Sequence, residues 1–161
     1  MPTYHLRRQE KAIASDEELR AIIAGQRIVT LAMCKGNEPY LVTVNYAFSP
    51  EERCFYFHAA QEGKKADYLK ANPLVWGQVL EDLGYRQGKC DHAFRTVHFR
   101  GRAEFVEERE AKRRALELLV DQLEDDPGPV KKRLILEHRV EHTAIVRIRV
   151  EEMWGKQNLV D

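Results

Sequence analysis

The stretch YLVTVNYAF, residues 40 to 48, alternates strictly. Tyr40, Val42, Val44, Tyr46 and Phe48 fall on one side of an extended chain, and Leu41, Thr43, Asn45 and Ala47 on the other, because successive strand side chains point to opposite faces. The first set reads as a core face. The second is too apolar for open solvent and too polar for a dry core, which suits a ligand, a second subunit or an ordinary outer barrel face. Period-two patterning and β-forming residues also predict strands over 27–34, 54–60, 73–82, 94–106 and 142–150. KGNEP and SPEER join the first three of the six as hairpins. The segment LGYRQGKCDH, 83–92, reads as a loop, and Gly101 marks a bend or bulge in the long strand around it.

Helical spacing takes over in four places. ASDEELRAIIAG has Ser15 as N-cap, Glu18 completing a capping box, and Gly25 as its stop. A short pattern over 64–71 ends at Asn72-Pro73. The segment 107–126 carries Ala111, Ala115, Leu118, Leu119 and Leu123 on one stripe; DPGP then breaks the chain, and 130–138 predicts a short further helix. Six hairpin-linked strands with helices at the edges predict a mainly β fold with peripheral α, a closed antiparallel barrel. No linker divides the chain, so one domain is expected over 1–161, with an N-terminal arm and helix over 1–26 and a C-terminal tail over 150–161.

Composition narrows the classes. Lys plus Arg and Asp plus Glu number 26 each, so no net charge draws the protein toward nucleic acid or an anionic membrane. No apolar run approaches the roughly 18 residues of a membrane span, and MPTYHLRRQE lacks the apolar core of a signal peptide. Cys34, Cys54 and Cys90 are odd in number and widely spaced, which predicts reduced thiols in a cytoplasmic protein.

The helix at 64–71 places Lys64 and Lys65 in its first turn, where the helix dipole is already positive. A phosphate there would reconcile the two, with Gly63 letting the backbone approach it; the other reading is a pair of solvated lysines. His58 ends a strand just before this point and is either structural or a hydrogen-bonding and proton-donating group near a ligand. Arg95 shares a strand side with Val97, Phe99, Gly101, Ala103 and Phe105. It therefore needs a rim salt bridge or an anion. Cys90, Asp91, His92 and His98 do not have zinc-site spacing, so no metal is expected. GxGxxG, Walker A, HExxH and GxSxG are all missing from the sequence.

Four segments together carry a resemblance. EPYLVTVNYAF, CFYFHAAQEGKKADYLKANPLV, FRTVHFRGRAEFVEEREAKRRALELL and MWGKQ occur in that order. They resemble the pyridoxamine 5′-phosphate oxidase-like flavin-binding superfamily and, within it, the nitroimidazole-resistance (Nim) branch, over most of residues 15 to 157. The resemblance implies a six-stranded antiparallel split β-barrel of the FMN-binding type, a homodimer with one FMN in each of two interfacial clefts. It puts the phosphate at Gly63, Lys64 and Lys65, and Thr43, Val44, Asn45 and Tyr46 beside the flavin ring. Phe57 and His58 match the family's F-H-[SG]-A segment, with His58 as the catalytic candidate. Arg95 and Thr96 match an R-S pair of the flavin site, and Trp154, Lys156 and Gln157 match a segment reaching the partner's flavin. Thr43, Ala59 and Phe94 depart from the usual proline, small polar residue and tyrosine.

The implied activity is FMN-dependent reduction of a small oxidised acceptor such as a nitroaromatic, with NAD(P)H as donor. A flavin carrier or sensor without turnover is the alternative, and so is a haem-binding member of the same superfamily, using His58 or His92. A deazaflavin would need a longer basic groove than this neutral chain suggests.

Overall fold

The computed structural model describes residues 5–160. A 3-10 turn, Gln9–Lys11, leads into β1 (Ala12–Ile13) and α1 (Asp16–Gly25). Then come β2 (Ile28–Lys35), β3 (Glu38–Asn45), β4 (Ala47–Ser49), β5 (Cys54–Ala59) and α2 (Lys64–Ala71). The long pair β6 (Leu74–Arg86) and β7 (Asp91–Phe105) precedes α3 (Arg109–Leu123), α4 (Pro127–Leu134), α5 (Glu137–His142) and β8 (Ala144–Asn158). Ser15 caps α1 by accepting from the Glu18 amide, and α2 has the expected bounds.

The sheet order is β3-β2-β6-β7-β8-β5-β4, all antiparallel, with β1 added against β8. Its two edges, β3 and β4, are consecutive in sequence and meet at Tyr46. A twisted sheet whose two edges belong to one continuous segment must curl on itself. The hydrogen-bonded path stops at β3 and at β4, so the barrel is split rather than closed. Tyr46 makes the corner. Its hydroxyl is buried and donates to the Ile23 carbonyl at 2.5 Å, and burial pushes its ionisation well above the ordinary phenol range. The six expected strands are all present. The count reaches eight because Tyr46 divides 40–48 and the N-terminal arm contributes β1.

The barrel interior is filled by Val29, Leu31, Met33, Phe55, Phe57, Val75, Val79, Val97 and Phe99. Phe55 and Phe99 stack with centroids 4.2 Å apart. A second cluster lies where α3 covers β4 and β5, and it joins Ala115 and Leu119 to Ala47, Cys54, Tyr56 and Ile145. Gln122 blunts the β4 edge by accepting from the Phe48 amide at 2.8 Å and donating to its carbonyl at 2.9 Å.

Three sequence expectations need correction. Residues 83–92 are not a loop: β6 and β7 stay paired through Tyr85↔His92 and Arg86↔Asp91, with a bulge between Asp82 and Tyr85. Their polarity and glycines suggested a loop, yet an exposed hairpin end needs no buried face to remain paired. The tail 150–161 is mostly strand, since β8 runs on to Asn158 against β7 and β1. DPGP opens α4 instead of breaking the chain, with Pro127 in the first turn, where a missing amide hydrogen costs nothing. The bulge expected at Gly101 is present: the β7–β8 register shifts between Arg100 and Gly101, and a Cβ there would lie 2.4 Å from the Arg149 carbonyl oxygen. Cys34, Cys54 and Cys90 are all unpaired. Among the described residues no helix is long and apolar enough to cross a membrane.

Candidate functional site

The split between β3 and β5 gathers one group of the expected residues. The β4–β5 register pairs Ala47 with Tyr56; continued two residues, it places Asn45 across the split from His58. Along β3, Tyr40, Val42 and Val44 pack against the interior while Leu41, Thr43 and Asn45 are exposed. The Asn45 amide donates to the Arg27 carbonyl at 3.2 Å, and the Thr43 hydroxyl lies 3.3 Å from that of Thr30. On β5, Phe55 and Phe57 point inward. Cys54 and Tyr56 lie under α3, and His58 emerges beyond them into solvent. Tyr46 and Phe57 are buried, so they shape the walls of the split rather than present side chains in it.

At the far end of the split sits the start of α2. Gly63 is its N-cap, at φ 120°, a conformation L side chains rarely adopt, and open space lies where a Cβ would be. Among the described residues no side chain caps this end, so the first-turn amides retain donors for an outside acceptor. Lys64 reaches Glu38 at 3.4 Å and lies over the rings of Tyr40 and Tyr68. Lys65 lies over the Phe57 ring at 5.5 Å and makes no ion pair among the described residues. Burial lowers its pKa, since a desolvated ammonium without a counter-charge is disfavoured. Two cations, free amides and the positive end of a helix converge here, and Glu38 pairs with Lys64 but not with Lys65.

The remaining expected residues form a second group on β7 and β8. Arg95 pairs across the ladder with Gln157, and Thr96 with Lys156. Arg95 forms a salt bridge with Glu81 at the barrel rim. The Thr96 hydroxyl donates to the Lys156 carbonyl at 3.1 Å and is close to His98 Nε2. Trp154 stacks on His98 and on His5 and meets Trp76 edge-on. β8 adjoins both β7 and β5, but His58 pairs with Ile145, nine residues along β8 from Trp154, about 30 Å of extended strand. A single chain therefore does not bring the two groups together.

A third feature lies on the α3 side of the split. A cavity of about 590 Å³ is walled by Leu116, Leu119, Leu123, Val130, Leu134 and Ile135, and its polar lining includes Asn45, His58, His138, Arg139 and His142. The sequence did not single out the last three: His138 ended the short helix expected over 130–138, Arg139 fell outside the expected elements, and His142 opened the strand expected over 142–150. The signal available was His138 and His142 at helical i,i+4 spacing. His92, by contrast, is tied to Asp82 at 2.6 Å.

A family model described as pyridoxamine 5′-phosphate oxidase matches residues 15–157. The chain belongs to that family. An uncharacterised protein of Rhizobium meliloti (strain 1021) is 34% identical over 77 residues, covering 48% of this chain. The chain thus matches about half the length of that curated relative, 49%. Among solved structures, a candidate 5-nitroimidazole antibiotic resistance protein from Bacteroides thetaiotaomicron superposes with a TM-score of 0.73 at 22% identity, over 91% of this chain and 86% of that one. An FAD and haem binding protein from Mycobacterium smegmatis gives 0.77 at 16% identity, over 94% of this chain and 76% of that one. These structural likenesses carry the split-barrel fold of the family, and that fold recurs in proteins that bind flavin and haem.

Proposed function

We propose that this chain is a homodimeric FMN-binding protein that reduces a small oxidised acceptor. The observation that carries the reading is Lys65: a partly buried ammonium with no ion pair among the described residues, at an uncapped helix start preceded by an open glycine. Such a site is prepared for a phosphate. Lys64 and Lys65 would hold it, with the Lys64–Glu38 pair loosening as the phosphate competes. Thr43 and Asn45 offer the exposed edge of β3 to a ring lying along the split. His58, solvent-facing and opposite Asn45, is the proton-donating group of the split in this reading. Arg95, Thr96, Trp154, Lys156 and Gln157 would close the site from a second copy, which is why they can lie so far from Lys65 within one chain. A bound flavin supplies the redox chemistry, accepting reducing equivalents from a donor such as NAD(P)H.

Titration of FMN against the protein, followed by flavin fluorescence, tests this. Lys65→Ala should weaken FMN about ten- to a hundredfold, corresponding to one charge-assisted contact. Riboflavin, lacking the phosphate, should bind the unaltered protein weakly and be indifferent to the substitution. The apo protein should become no less stable, because an unfavourable cation has left the helix start. Equal FMN binding by both proteins would remove the phosphate site. A Soret band in the protein as purified would replace FMN by haem, with His58 the first axial ligand to test.

A further inference from the structure

We infer that the cavity between α3, α4, α5 and the end of β5 is a binding site for an apolar carboxylate, a molecule with a hydrocarbon or aryl body and one anionic end. As a binding site it rests on the cavity alone; as the place where the acceptor waits beside a flavin, it rests on the reading above. The volume, about 590 Å³, lies in the range of small-molecule pockets.

The body of the ligand is specified by one wall. Leu116, Leu119 and Leu123 come from α3, and Val130 and Leu134 from α4. Leu119 finishes its packing against the barrel, whereas Leu116, Leu123 and Leu134 stay partly or largely uncovered. Apolar side chains gathered around a void gain only when an apolar group fills it.

The anionic end is specified by the polar part of the lining. Arg139 lines the cavity and its guanidinium makes no ion pair among the described residues. His58, His138 and His142 also line the cavity, and Glu124 is the one carboxylate in the lining. His142 is oriented: its Nδ1 donates to the His138 carbonyl at 2.6 Å. A permanent cation, three imidazoles and a single acid favour an anion at this end. A carboxylate matches the planar fork of an arginine. Asn45 and His58 border the cavity and the β3–β5 split alike, so a ligand seated here lies next to the proposed flavin.

Isothermal titration with decanoate and with its uncharged analogue decanamide tests the site. Decanoate should bind at least about tenfold more tightly than decanamide, as one charge-assisted contact requires. Arg139→Gln, at an exposed position, should abolish that difference and leave decanamide binding unchanged. Leu134→Trp, which intrudes on the cavity from a partly exposed position, should weaken both ligands, with circular dichroism confirming an intact fold. Equal binding of the two ligands, or a decanoate preference that survives Arg139→Gln, overturns the proposal, as does failure of both to bind. FMN titration of the same samples separates the two readings. Loss of the decanoate preference in Arg139→Gln with FMN affinity intact supports the cavity whether or not the flavin turns over, and decanoate binding without any FMN binding removes the flavin reading only.

Discussion

The inner and outer faces of β2, β6 and β7 are built from the same strands and have different fates. Inward, Leu31, Val75, Val79, Val97 and Phe99 are wholly buried. Outward, and on the neighbouring outer face of β3, Ile28 is 57% exposed, Leu41 65%, Leu80 48% and Trp76 37%. Ala32 pairs with Leu41 on one side and Trp76 on the other, so these three form an apolar row across neighbouring strands, with the polar row Thr43, Thr30 and Gln78 between it and Ile28 and Leu80. A contiguous apolar band on an outer sheet face is the usual mark of an interface. Interior burial accounts for the fold of one chain, whereas in the outer band Trp76 meets His5 and Trp154 and Leu41 stays 65% exposed. The second copy in the proposed dimer is its natural cover.

The largest effect should come from the inner face. Phe99→Ala removes a ring that fills the barrel and stacks on Phe55, and should cost about 3–5 kcal/mol in urea unfolding. A loss under about 1 kcal/mol would mean that the interior is far looser than the buried side chains imply. The outer face should behave in the opposite way. Leu41→Lys should change the stability of the isolated chain by no more than about 0.5 kcal/mol. It should, however, weaken self-association by about 2 kcal/mol, roughly thirtyfold, in sedimentation equilibrium. If association is unaffected, the band is not the interface. If the unaltered protein is monomeric, the dimer is gone altogether.

The smallest effect sharpens the contrast through acid titration. His98 lies on the outer face, yet burial beside Trp154, with help from the nearby Lys156 charge, lowers its pKa. A histidine depressed in the folded state favours folding above its unfolded value of about 6.5 and loses that contribution as pH falls through the lower folded value. His98→Phe keeps a ring against Trp154 and removes the titration. The loss of stability on acidification should therefore become shallower below about pH 6.5, by at most about 1.4 kcal/mol per pH unit. Identical acid limbs would show that His98 is charged and solvated in both states.

Much of this was legible in the chain, and the boundary has a physical basis. Local signals placed α1 and α2: a serine cap with its glutamate, and a glycine before two lysines with Asn72-Pro73 behind. Alternation assigned the inner faces, because side-chain direction in a strand depends only on parity. The proposed Gly63–Lys65 anion site could be read because its basis, an uncapped helix start, is also local. The sequence alone could not say that β8 continues to Asn158, since that stretch is held by partners far away, Phe94 through Arg100 on β7 and Ala12–Ile13 on β1. Nor could it say that Arg95 answers to Glu81, or that His58 shares a cavity with Arg139 and His142. Those proximities exist only after the sheet has curled until β3 and β4, its two edges, meet at Tyr46, and no short-range pattern encodes a distance across that curl.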